Sequence, residues 1–149
     1  MNRKSIRLLI ALTFAVGLLP ATSSMAGDVA STSQVVVTSL AHTTHAWDGS
    51  QYTHYPQGIP QIDVQRVYIP AHTTLPWHTH AIVNAVYLLS GSLTVEKRNG
   101  EGRRTFKAGS VIADVVDVVH HGFTTDEPAE MIVFFAAAQG LPLRTLVKN

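Results

Sequence analysis

Apolar residues recur at short, strand-like spacing through most of this chain. Ile62-Asp-Val-Gln-Arg-Val-Tyr-Ile69 alternates, with a phase slip near Arg66, and Pro70 ends it. Ala85-Val-Tyr-Leu-Leu89 is nearly continuous, as in strands covered on both faces, and Ser90-Gly91 follows it as a turn. Leu93-Thr-Val-Glu96 alternates again. Asn99-Gly100-Glu101-Gly102 then supplies the positive φ angles of a tight turn, so Arg103–Lys107 returns as the second arm of a hairpin. Val111–Val119 is strand-like but interrupted by Asp114 and Asp117, and Met131-Ile-Val-Phe-Phe-Ala136 is a buried strand. Val35-Val-Val-Thr-Ser-Leu40 is β-branched and predicts a further strand after a loose arm at Ser31-Thr-Ser33. From Ala41 to Pro60 the chain is polar and carries turn signals at Asp48-Gly49, Pro56, Gly58 and Pro60. No sustained helical period occurs after the first 26 residues. Short strands between frequent turns predict an all-β sandwich or barrel, in one domain from about Val35 to Ala136.

The first 26 residues follow a different rule. Arg3, Lys4 and Arg7 precede an apolar stretch from Leu8 to Leu19, Pro20 breaks it, and Ser24-Met25-Ala26 offers small residues for cleavage. This is a secretory signal pattern, with an apolar core too short for a comfortable membrane span. The expected mature chain is residues 27–149, starting at Gly27, in the periplasm or the medium, with no membrane attachment after cleavage. The leader holds three of the eleven basic residues and none of the ten acidic ones, so the chain from Gly27 carries a formal charge of −2. That balance gives no reason to expect nucleic acid or an anionic lipid surface as partner. The absence of cysteine removes disulfides, thiolate nucleophiles and thiolate zinc sites together, so an exported domain must be stable on its apolar core.

Histidine carries the chemistry. In Leu75-Pro-Trp-His-Thr-His-Ala81, His78 and His80 stand at i and i+2 and share one face of a strand, so both can reach one metal ion. His120, in Val118-Val-His-His-Gly122, ends another strand-like run 40 residues after His80. A shared ion would require the ligating nitrogens to lie within roughly 3–4 Å of one another. Trp77 is out of phase with the pair and should turn away from it. Trp47 is expected as a core anchor and Tyr87 as a core residue or a hydroxyl donor. His72 and the loop residues His42, His45 and His54 are expected to be solvated. Lys97, Arg98, Arg103 and Arg104 make a solvated basic hairpin tip rather than an anion site.

These residues resemble the cupins, small β-barrels related to the jelly roll. The family's first motif places His-x-His ahead of a glutamate and a closing glycine. His78, His80 and Gly91 match it, while Asn84 stands at the glutamate position, seven before Gly91, and His72 stands at the leading glycine. In the second motif Gly109 and His120 match, but Val115, Asp117 and Thr124 replace the proline, the glycine and the asparagine. Trp47-Asp48-Gly49, Tyr87-x-Leu-x-Gly91 and Phe134-x-Ala136 also resemble small single-domain bacterial members. The resemblance spans about residues 62–136. It implies a jelly-roll barrel with a divalent ion (iron, manganese or zinc) held by His78, His80 and His120, and a homodimer by analogy. Asn84 then either coordinates through its oxygen or holds a metal-bound water, and Asp114 or Asp117 is the alternative source of a carboxylate. The implied activity is metal-dependent chemistry on a small molecule, such as a dioxygenase reaction. The alternative is a non-catalytic module that binds or senses a metal or small ligand.

Overall fold

Eight strands form one curled sheet in the computed structural model, which describes residues 34–98, 100 and 102–148. The leader, its cleavage point, the arm at 31–33, Asn99 and Glu101 lie outside the described residues. The strands are β1 (Pro60–Ile69), β2 (His78–Thr79), β3 (Asn84–Lys97), β4 (Arg103–Lys107), β5 (Val111–Ala113), β6 (His120–Phe123), β7 (Ala129–Ala138) and β8 (Thr145–Leu146). Along the sheet the order is β1-β7-β3-β6-β2-β8, with β4 and β5 also on β3, and every pairing is antiparallel. No helix occurs among the described residues, and none is long and apolar enough to cross a membrane.

The long strand β3 organises this arrangement. Its first half pairs with β5 and β7, and its second half with β4 and β6. Ala85–Leu89 and Leu93–Glu96 were expected as two strands broken at Ser90-Gly91. They are instead one strand of 14 residues with a bulge between Leu88 and Ser90. A bulge bends and twists a strand without ending it, and Gly91 absorbs the bend with a φ of +71°. Val111–Val119, by contrast, divides. β5 stops at Ala113, a loop carries Asp114 and Asp117 (φ +57°), and β6 begins at His120.

Strand β1 pairs with β7 without interruption from Pro60 to Ile69, so no phase slip occurs at Arg66. Its Val67 and Ile69 pack inward, while Ile62, Val64 and Tyr68 are exposed on the other face. Val35, Val36 and Val37 form no strand and are 84–90% exposed, which corrects the strand expected at 35–40. β-branched composition alone does not make a strand, because a strand needs a partner for its backbone groups. The inward side chains of β1, β3, β5 and β7, including Ile69, Val86, Leu88, Ile112, Met131 and Phe135, make the core, and Trp47 packs against it as expected. β8, beyond the span that resembles the cupins, pairs with β2 and closes that end of the sheet.

A Cβ built on Gly91 would lie 1.7 Å from the carbonyl oxygen of Pro128, so backbone must move. Gly109, with a similar positive φ of +84°, faces open space. Gly91→Ala is expected to destabilise by at least about 3 kcal/mol and Gly109→Ala by about 1 kcal/mol, because only the first adds a backbone clash to the left-handed strain. Urea unfolding of both variants checks the difference, and equal losses would contradict it.

Candidate metal centre

His78 and His80 leave β2 on the same face, and His78 lies opposite His120 of β6 in the ladder. That register brings the three rings together, with centroids 4.5–5.3 Å apart. All three residues are buried, and one ring nitrogen from each lies within 4.8 Å of the others. This spacing is wider than the expected 3–4 Å, so small side-chain rotations would be needed to close the triad on an ion.

Backbone carbonyls orient each ring. Nδ1 of His78 donates to Pro76 O at 2.7 Å, Nδ1 of His80 to Leu143 O at 2.6 Å, and Nδ1 of His120 to Val118 O at 2.8 Å. A carbonyl can only accept, so in each ring Nδ1 carries the proton. In the neutral ring Nε2 is then a bare lone pair. Burial pushes the His78 imidazole down to about 4 and also lowers His80, favouring this neutral form. Burial opposes charge on His120 as well, but the adjacent Asp114 carboxylate outweighs it and raises the His120 pKa. The donor set fits a divalent ion: three imidazoles, each tied at Nδ1 on its far side by an outer hydrogen bond so that Nε2 faces the centre.

Two further polar side chains enter the same space. Asn84, at the start of β3, is 2% exposed, and neither its Oδ1 nor its Nδ2 has a hydrogen-bond partner. A residue capping a turn would use those atoms locally, whereas Asn84 holds them in the cavity lining. Asp114 is also buried, and its Oδ2 lies 3.5 Å from His80 Nε2 and 3.4 Å from His120 Nε2. Asp117 is exposed and its backbone N–H donates to His80 O at 2.8 Å, so of the two acids only Asp114 reaches the centre. Around these groups lies a cavity of about 320 Å³ with mainly apolar walls, including Val67, Leu93, Met131 and Phe135. Gln65, Leu143 and Arg144 also line it. The segment at 143–144 and the contribution of β1 carried no motif that could have flagged them.

The other histidines stay away. His121 Nε2 donates to Glu96 Oε1 at 2.8 Å and the ring stacks on Trp77 with centroids 3.7 Å apart. Trp77 is thus turned from the triad, as its phase required. His42, His45, His54 and His72 are exposed. Two of the four basic residues at the hairpin tip are paired with acids: Lys97 with Asp48 at 3.0 Å and Arg103 with Glu96.

No family model and no curated protein matches the chain. Solved structures do. The DMSP lyase DddQ from Ruegeria pomeroyi superposes with a TM-score of 0.52 at 21% identity, over 58% of this chain and 43% of that one. A double-stranded β-helix protein from Klebsiella pneumoniae matches with a TM-score of 0.51 at 17% identity, over 66% of this chain and 92% of that one. A cupin-like protein from Thermotoga maritima matches with a TM-score of 0.50 at 19% identity, over 58% and 64% of the two chains. The chain thus spans less than half the length of the lyase it resembles. With a curled antiparallel sheet and a histidine triad between its strands, the chain has the fold of the cupin-like, double-stranded β-helix proteins.

Proposed function

We propose that this protein is an exported, metal-dependent cupin enzyme that acts on a small molecule bound beside a three-histidine centre. The observation that carries the reading is the triple lock on His78, His80 and His120, which aims three Nε2 atoms into a largely apolar cavity. A bound divalent ion would supply Lewis acidity or, if redox-active, a site for oxygen activation. The chain's own groups do the rest. The apolar walls exclude water and select a small, partly apolar molecule. The Asn84 amide offers one acceptor and two donors to whatever occupies the space before the imidazoles. A dioxygenase reaction is the sharpest form of this proposal. The fold is compatible with catalysis, since a lyase shares it, but fold alone does not choose a reaction.

A second reading is a binding or sensing module with the same centre and no turnover. It is favoured by Asn84, which puts an amide where the cupin motif has a carboxylate that can serve as base. Elemental analysis of protein recovered from its native compartment separates the readings. Stoichiometric iron or manganese supports oxygen chemistry, and zinc supports hydrolysis or isomerisation. Metal-free protein would leave an apolar binder. N-terminal sequencing of the same material is expected to begin at Gly27, and a start at Met1 would make the leader a membrane anchor instead.

Replacing one neutral nitrogen ligand should remove most of the affinity. His80→Ala is expected to abolish stoichiometric metal binding, and full retention would place the ion elsewhere, with His42, His45 and His54 as the next site to test. Asn84→Ala should weaken binding by less than about ten-fold, because a neutral amide contributes least to the shell, while Asn84→Glu should tighten it by about ten-fold through added negative charge. Titration of the metal-free variants with one divalent ion reads all three effects. An unaltered affinity in Asn84→Glu would show that residue 84 does not face the ion.

A further inference from the structure

We propose that Asp114 is the anionic metal ligand of this centre, replacing from the loop just after β5 the carboxylate that position 84 lacks. The proposal rests on the metal-binding reading above and adds a fourth protein ligand to it.

Position 84 and position 114 are neighbours across a strand pair. Ala85 lies opposite Ala113, and one step further the Asp114 N–H donates to Asn84 O at 3.1 Å. Both side chains are buried and line the same cavity. Where the cupin motif has a carboxylate at position 84, this chain has an amide there and a carboxylate beside it at position 114. A reading that follows one strand at a time sees a missing glutamate, whereas the folded ladder supplies an aspartate beside it.

The distances from Asp114 to two of the imidazoles suit ligation better than a simple ion pair. Donor atoms bound at ~2.0–2.2 Å in a tetrahedral shell stand about 3.3–3.6 Å apart. The Asp114 Oδ2 separations from His80 Nε2 and His120 Nε2, 3.5 and 3.4 Å, fall in that range. A charge-assisted N–H···O bond would be nearer 2.7–2.9 Å. The carboxylate is also held in place: its Oδ1 accepts the Val115 N–H at 2.8 Å, which leaves Oδ2 for the centre. Tyr52 Oη donates to the Asp114 carbonyl at 2.6 Å and fixes the backbone beneath it.

Charge gives an independent reason. A buried carboxylate is costly unless a cation faces it. Among the described residues no lysine or arginine pairs with Asp114; its partners within salt-bridge distance are His80 and His120. Both of those rings carry their Nδ1 proton toward backbone carbonyls and present Nε2 to the carboxylate. Asp114 Oδ2 and the Nε2 atoms of His80 and His120 face one another, and a positive charge among them, either a proton on an imidazole or a divalent ion, offsets the carboxylate. A divalent ion there satisfies all three. It would also leave the Asn84 amide to hydrogen-bond a molecule beside the ion, rather than to bind the ion itself.

Co²⁺ is the probe, because its unpaired electrons shift the protons of its ligands far from their usual positions. Wild-type protein loaded with Co²⁺ should show strongly shifted proton resonances that vanish when aspartate is deuterated at its β-carbon. Asp114→Asn should lose those resonances and bind Co²⁺ at least 100-fold more weakly, whereas Asp117→Asn should keep both. If wild type binds Co²⁺ but shows no shifted aspartate resonance, Asp114 is not a ligand, even if its removal weakens binding through His120. If wild type binds no Co²⁺, the metal-binding reading falls and this assignment falls with it. The wild-type spectrum decides the question even if Asp114→Asn does not fold.

Discussion

Three hydrogen bonds from imidazole to backbone carbonyl govern everything else at this centre. Without them each buried histidine could turn either nitrogen inward and exchange tautomers, and the lone pairs would have no common focus. The carbonyls that hold them belong to three separate stretches: Pro76 before β2, Val118 before β6, and Leu143 before β8. Two of these bonds are local, reaching back two residues along the chain. The third ties His80 to a segment 63 residues away. The pairing of β8 with β2 therefore has a chemical consequence as well as a structural one, since it brings the Leu143 carbonyl to His80. Outer hydrogen bonds of this kind fix ring orientation and raise ligand basicity.

The long strand β3 sets the distance between the centre and the core. Its first residue, Asn84, faces the cavity, and the strand then crosses the curled sheet, pairing on both halves. The bulge after Leu88 allows one continuous strand to serve both halves without losing its ladder. Gly91 is thus required by the close approach of Pro128 rather than by a turn, which gives a physical meaning to the closing glycine of the motif. Thr124 shows the same logic in a substituted position. Where the family has asparagine, its hydroxyl donates to Pro70 O at 2.5 Å and accepts from Thr73 N–H at 3.0 Å, pinning the end of β6 to the loop after β1.

Much of this was legible in the sequence because the determining features are local. The i, i+2 spacing of His78 and His80 fixes a shared face on any strand, and the motif spacing selects His120 over His121, which instead pairs with Glu96. Turn residues and the lack of helical periodicity were enough for an all-β architecture. What stayed hidden was non-local. Val35–Leu40 has strand composition but finds no ladder, and Ser90-Gly91 has turn composition but sits inside one. The tail at 143–146 has little apolar pattern, yet its backbone docks on β2. Asp114 and Asp117 look alike as acids three apart in a strand-like run; only the break after Ala113 buries the first and exposes the second.

The cavity holds an unusual concentration of uncompensated polarity for its apolar walls. Asn84 leaves both amide atoms unpartnered, Asp114 leaves one carboxylate oxygen without a conventional donor, and three imidazoles turn their acceptors toward the same space. An apolar side chain at any of these positions would be cheaper for folding, since each buried polar group without a partner costs about 1–3 kcal/mol. A protein whose core were selected for stability alone would not retain such a cluster. The polar groups are also not dispersed; they converge, and the imidazoles and Asp114 have their outer atoms satisfied while their inner atoms face the cavity. That asymmetry distinguishes a site from a packing defect. A cation could answer the lone pairs, and a small molecule with hydrogen-bonding groups could answer the amide.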